Sequence, residues 1–210
     1  LFPPGVEKQF PNLRGFADVA DVGQAAKDWP NLNFIIYHSA YRHVGGDPAV
    51  ALAEFNRTGR IAWTSDLADI PQQYGVNNVY GDVGQLFATT LVAEPNVCAA
   101  LMGTLIKGLG VDHVCWGTDA LWTGSPQWQI EGLRRLEIPE DMQKKYGFQP
   151  LGAADGPVKT AVFSGNTARL YGLEQHAELV RKDRFAAMKA EYEASGGGRS
   201  NLRYGYVARG

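Results

Sequence analysis

Three polar residues close three short apolar runs. His38 ends Asn33-Phe34-Ile35-Ile36-Tyr37-His38, Asp82 lies near the end of Val79-Tyr80-Gly81-Asp82-Val83, and Asp119 follows His113-Val114-Cys115-Trp116-Gly117 after Thr118. Each run has the length and the nearly continuous apolar character of a strand buried in a parallel sheet. In folds of that kind ligands gather at the carboxyl ends of the strands. An imidazole and two carboxylates at successive strand ends would make an acid/base set. Imidazole nitrogen and carboxylate oxygen are also the donors that a divalent ion such as zinc takes.

Each of these residues has a plain structural alternative. A histidine at a strand end can be a satisfied packing residue. Asp119, ahead of a turn, can cap a local backbone segment, and Asp82, beside Gly81 and Gly84, reads first as a turn residue. Arg42 has the planar fork that suits a substrate carboxylate, or it makes a surface ion pair. Trp122 and Trp128 either roof a pocket or pack. His43, His113 and His176 read as structural or exposed, and His113 stands at the start of its strand, the wrong end for catalysis.

The elements that must position these groups alternate strand and helix. A helix is expected over Asp18–Trp29, with Asp18 as its cap and Pro30 as its stop. Others are expected from Pro48 to about Arg57 and from Thr64 to Tyr74, with Gly75 closing the second. Glu94-Pro95 opens the clearest helix, where Val97, Leu101, Leu105 and Leu109 share one face and Gly110 ends it. Short helices start at Ser125-Pro126 and at Pro139-Glu140-Asp141. Asn166 reads as the cap of Thr167–Tyr171, which Gly172 closes. Leu173 to Ala194 reads as a long charged helix with Ala177, Val180, Phe185 and Met188 as its apolar stripe. Leu1–Arg14 is loop-like. Crossovers long enough to hold helices imply a parallel α/β sheet. Three strands are too few for a closed (β/α)₈ barrel, which takes eight strands and about 250 residues.

The chain has 210 residues, 45% hydrophobic and 20% charged, with a formal net charge of −2. That composition suits a soluble globular domain and provides no basic face for nucleic acid. No apolar run approaches the roughly 18 residues needed to span a membrane. Cys98 and Cys115 read as buried free thiols and leave the compartment open.

Phe34 to Arg42 (FIIYHSAYR), Val114 to Asp119 (VCWGTD) and Phe163 to Leu173 (FSGNTARLYGL) together resemble the amidohydrolase-related family. That branch of the amidohydrolase superfamily includes aminocarboxymuconate semialdehyde decarboxylase and related decarboxylases and hydrolases. The resemblance covers roughly residues 1 to 173. It implies an α/β fold forming the C-terminal part of a TIM barrel, about strands 6–8, incomplete in this chain. Residues 1–173 would be that partial barrel, 174–194 a C-terminal helix and 195–210 a flexible tail.

By the same resemblance Asp119 corresponds to the strand-8 metal ligand and His38 to the strand-6 histidine. The strand around Tyr80 corresponds to strand 7, and Leu1-Phe2-Pro3-Pro4 to the loop after strand 5. The family's His-x-His motif is absent from this chain and, with the strand-5 histidine, would lie upstream of Leu1. The implied cofactor is one divalent metal, zinc by preference, in the intact protein. The implied activity is hydrolysis of a C–O or C–N bond by a metal-activated water. His38 and Asp119 would be catalytic, Arg42 and Trp122 would contact substrate, and the fragment alone would be inactive. Two alternatives stand beside it: a metal-dependent decarboxylase of an aromatic or unsaturated acid, and a noncatalytic α/β binding or scaffold module. The expected partner is a small-molecule substrate, with self-association left open and no nucleic acid or membrane. His38 and Asp119 should project from the same end of a sheet of adjacent parallel strands. Phe34 and Ile36 should lie on an exposed barrel-facing surface and lack part of their expected cover.

Overall fold

The computed structural model describes residues 18–42, 47–173 and 186–196. The three apolar runs form strands β1 (Phe34–Ile36), β2 (Val79–Asp82) and β3 (Val114–Cys115). They pair in chain order and in parallel, with Ile36 opposite Gly81 and Asp82 opposite Cys115. Every strand is shorter than its run. The backbone turns left-handed at His38, Val83 already has helical angles, and Val111–His113 is a 3₁₀ turn that delivers the chain into β3.

Side chains alternate across a strand. Phe34, Ile36, Val79 and Val114 face the helical core. Gly81 sits on that same face, and a Cβ there would meet Leu109 at 3.1 Å and Leu105 at 3.5 Å. The expected face is therefore corrected, because the pleat turns Phe34 and Ile36 toward the helices, where both are only partly buried. On the opposite face Ile35, Tyr37, Asp82 and Cys115 line a cavity of about 220 Å³ together with Trp116 and Thr167. Tyr37 is 75% exposed.

Helices α1 (Val22–Asp28), α2 (Pro48–Thr58) and α3 (Thr64–Tyr74) precede β2. Asp18 accepts the Ala20 N–H but does not cap α1, whose N-cap position is Asp21. The carboxylate of Asp47 caps α2 by accepting the Ala49 N–H at 2.9 Å. Gly59 and Gly75 end α2 and α3 with φ of 72° and 66°, a region that favours glycine. Two helices lie between β2 and β3. Helix α4 (Gly84–Ala93) does not show in the sequence pattern. Its run GQLFATTLVA is apolar nearly all round, so no polar stripe marks its period. Helix α5 (Pro95–Leu109) carries the core, with Val97, Leu101 and Leu105 fully buried and Leu109 6% exposed. Each such leucine contributes about 1.5–3 kcal/mol by leaving water.

After β3 come α6 (Pro126–Arg135) and α7 (Glu140–Tyr146). Then α8 (Pro157–Thr160), a π-helical turn (Ala161–Gly165) and α9 (Asn166–Leu170) run on without a break. Asn166 is thus inside helical backbone and is not a cap, which corrects the sequence reading. Its side-chain amide donates to the carbonyls of Val111 and Val114, both at 2.8 Å, and ties α9 to the start of β3. Helix α10 (Ala186–Ala194) has no buried residue, and its Met188 is 64% exposed. The expected loop at 1–14, His43, His176, Ala177, Val180, Phe185 and most of the expected tail lie outside the described residues. Both cysteines are free and buried, as expected, and burial pushes the Cys98 thiol up to about 12. No helix among the described residues is long and apolar enough to cross a membrane.

Because Asn166 satisfies two carbonyls at once, Asn166→Leu is expected to lower stability by about 1–3 kcal/mol, the cost of stranding buried acceptors. A urea denaturation midpoint equal to that of the wild type would contradict this role.

Candidate functional site

The site begins where β1 stops. His38, Ser39 and Ala40 take φ of 52°, 45° and 55° in succession. For residues with a Cβ this conformation costs roughly 1–2 kcal/mol each. The turn carries the His38 imidazole across the carboxyl ends of the strands toward Asp119. His38 Nε2 lies 3.8 Å from Asp119 Oδ1, with the two side chains 19% and 29% exposed. The pair is therefore reachable from solvent and sits at one end of the sheet, as the apolar runs implied.

Asp119 is placed by the loop that leaves β3, and its own φ is 54°. The Thr118 carbonyl accepts from the Thr123 hydroxyl at 2.6 Å and from Gln129 Nε2 at 3.0 Å. Gln129, fully buried in α6, also donates to Thr123 Oγ1 at 2.9 Å. Just ahead of this loop the Trp116 ring is held edge-on between Phe87 and Phe163, with centroids at 5.2 and 4.9 Å. Neither Gln129 nor Thr123 is marked by any sequence pattern, since their role depends on where α6 folds back.

Asp82 is the third member of the group. A Cβ on Gly117 would collide with the Asp82 carboxylate, and one on Gly84 would stand 2.8 Å from Asp82 Oδ2 and 2.7 Å from His38 Cδ2. Burial raises the Asp82 carboxyl above its ordinary value, the nearby main-chain N–H groups of His38 and Gly84 and the His38 charge oppose the rise, and the Asp119 charge adds to it. The sequence reading as a turn residue left Asp82 out of the site. Of the glycines that suggested a turn, Gly84 leaves space for the side chain, as Gly117 does, whereas Gly81 faces the helical core.

The other candidates lie differently. The Arg42 guanidinium stacks over the Trp63 ring, 5.5 Å from its centroid. Trp122 is 90% exposed. His113, before β3, bonds the Asn77 carbonyl through Nε2 at 2.7 Å and packs on Tyr80, which matches the structural role expected of it.

Among the described residues no group of three or more His, Cys, Asp or Glu side chains is arranged to hold a metal ion. A catalytic zinc takes three protein ligands, so His38 and Asp119 do not make such a centre by themselves. His38 Nδ1 is buried and has no hydrogen-bond partner there.

The family model described as amidohydrolase matches residues 11–173. No curated protein and no solved structure matches the chain.

Gly117→Ala would drive a methyl group into the Asp82 carboxylate and is expected to cost about 1–3 kcal/mol by overpacking. Gly165→Ala is the control, because its Cβ would meet only the Thr160 carbonyl oxygen at 3.6 Å. Equal melting temperatures for the two variants would contradict the close packing around Asp82.

Proposed function

The chain belongs to the amidohydrolase family, and from that premise we propose that it is the C-terminal part of a metal-dependent hydrolase that splits a C–O or C–N bond with water. One observation carries the reading. His38 and Asp119, far apart in sequence, meet at 3.8 Å at the carboxyl ends of parallel strands. In this reading β1, β2 and β3 take the places of strands 6, 7 and 8 of a TIM barrel. The remaining strands come from chain outside the described residues.

The two side chains divide the work. The Asp119 carboxylate accepts the proton of the attacking water and returns it to the leaving group. The His38 imidazole polarises the scissile carbonyl and steadies the negative charge that develops on its oxygen. Arg42 anchors a substrate carboxylate through its fork, and Trp122 packs on a flat substrate. In metal-dependent hydrolases a divalent ion, zinc by preference here, lowers the pKa of a bound water. Asp119 would be one of its ligands. The described residues do not complete the set, and the missing ligands belong to the preceding strands of the intact enzyme.

Asp119→Asn in the intact enzyme tests the assignment. The amide keeps the size of the carboxylate but cannot take the proton. Turnover of a hydrolytic probe such as 4-nitrophenyl acetate is expected to fall by ~10²- to 10⁴-fold, with the melting temperature nearly unchanged. Full turnover together with a loss of about 1 kcal/mol in stability would make Asp119 a turn cap and remove it from the site. Carbon dioxide release from an aromatic acid, in place of ester cleavage, would move the enzyme to the decarboxylase reading.

A further inference from the structure

We propose that Gln129 and Thr123 are the positioning residues of this site: together they clamp the peptide units on both sides of the Asp119 Cα, and Gln129 fastens that clamp to helix α6. The inference rests on the catalytic reading of Asp119 given above. Asp119 has a φ of 54°, and a residue with a Cβ persists in that region only where its surroundings over-determine it. The His38 imidazole does not hold the Asp119 side chain, because 3.8 Å is beyond hydrogen-bonding distance. The backbone must therefore set the aim of the carboxylate.

Two peptide units meet at that Cα. The carbonyl of the first, from Thr118, accepts the Thr123 hydroxyl at 2.6 Å and Gln129 Nε2 at 3.0 Å. The carbonyl of the second, from Asp119 itself, accepts the Thr123 N–H at 3.3 Å. Each peptide unit is planar, so holding both leaves little freedom in the φ and ψ between them. The direction of the Asp119 Cα–Cβ bond is fixed with them. Thr123 belongs to the same loop and would move with it. Gln129 does not: it is fully buried in α6, and it bonds Thr123 Oγ1 as well, at 2.9 Å.

Helix α6 is anchored in its turn. Its Leu133 is buried, and a Cβ on Gly132 would collide with Leu91 of α4. Near its C-terminus the Arg134 carbonyl accepts Nζ of the buried Lys159 at 3.0 Å. The chemistry of Gln129 points the same way. Only the NH₂ end of its amide can serve a carbonyl, and the other end, Oε1, is buried without a hydrogen-bond partner. Stranding an acceptor is costly, so a residue that merely filled this space would do better as leucine or methionine.

The test is backbone ¹⁵N relaxation on the full chain, with turnover of 4-nitrophenyl acetate by the intact enzyme beside it. Gln129→Met nearly keeps the side-chain volume and removes the N–H donors. Thr123→Val removes the hydroxyl at constant shape, and Thr123→Ser keeps it. In the wild type the Asp119 amide should have an order parameter of about 0.85, the rigid value. In the Gln129→Met, Thr123→Val double variant it is expected to fall below about 0.6, while the amides of Leu101–Leu109 stay rigid. Thr123→Ser should match the wild type. In the intact enzyme kcat should drop by ~10- to 100-fold in Gln129→Met, with KM unchanged. If Gln129→Met does not fold, Thr123→Val alone carries the test, because Thr123 is a half-buried loop residue. An Asp119 amide already mobile in the wild type, or as rigid in every folded variant as in the wild type, overturns the proposal. So does a wild-type kcat in Gln129→Met when Asp119→Asn is inactive. Failure of the catalytic reading has a different signature: full turnover in Asp119→Asn while the Asp119 order parameter still responds to Gln129 and Thr123.

Discussion

The left-handed turn at His38, Ser39 and Ala40 is the constraint on which the rest of the site depends. A strand that simply continued past Ile36 would carry His38 straight out of the sheet, with alternate side chains on opposite faces. Instead the chain reverses its handedness for three residues, and the imidazole swings over the strand ends toward Asp119. Such a turn costs a few kcal/mol. Part of the offset comes from the next strand, where the Asp82 carbonyl accepts the buried Ser39 hydroxyl at 2.9 Å.

That arrangement works only if β2 cannot move. Helix α5 lies beneath it, with Leu105 and Leu109 filling the space where a Gly81 side chain would be. Asn78, just before β2, is pinned from the other direction, its side-chain amide donating to the carbonyls of Ala26, Trp29 and Leu32. On the far side of the sheet Asn166 ties β3 to α9, and Gln129 ties the loop bearing Asp119 to α6. Buried amide side chains thus fix β2, β3 and the loop bearing Asp119 to helices. Directional hydrogen bonds between buried groups favour one arrangement, whereas apolar contacts alone tolerate sliding.

Much of this was legible in the residues, and what was not has physical reasons. The parallel order of β1, β2 and β3 and the shared end of His38 and Asp119 follow from apolar runs closed by polar residues. Thr64–Tyr74 and Pro95–Leu109 follow from periodicity between a good start and a glycine stop. Helix α4 escaped because a helix buried on most sides has no polar stripe to reveal its period. Phe34 and Ile36 went to the wrong face because a continuous apolar run does not say which way the pleat points. Asn166 looked like a cap because asparagine is common there, yet helical backbone precedes it. The turn at His38 carries no glycine to announce it, and the glycines around Asp82 announce a turn they do not primarily serve.

The central claim is that His38 and Asp119 belong to one catalytic centre at the carboxyl ends of the strands. Zinc-edge anomalous diffraction from crystals of the intact enzyme tests it most directly. The account predicts an anomalous peak about 2.0–2.2 Å from a carboxylate oxygen of Asp119, on the side of the sheet from which His38 projects. A bound metal elsewhere on the protein, with Asp119 turned away from it, would contradict the account.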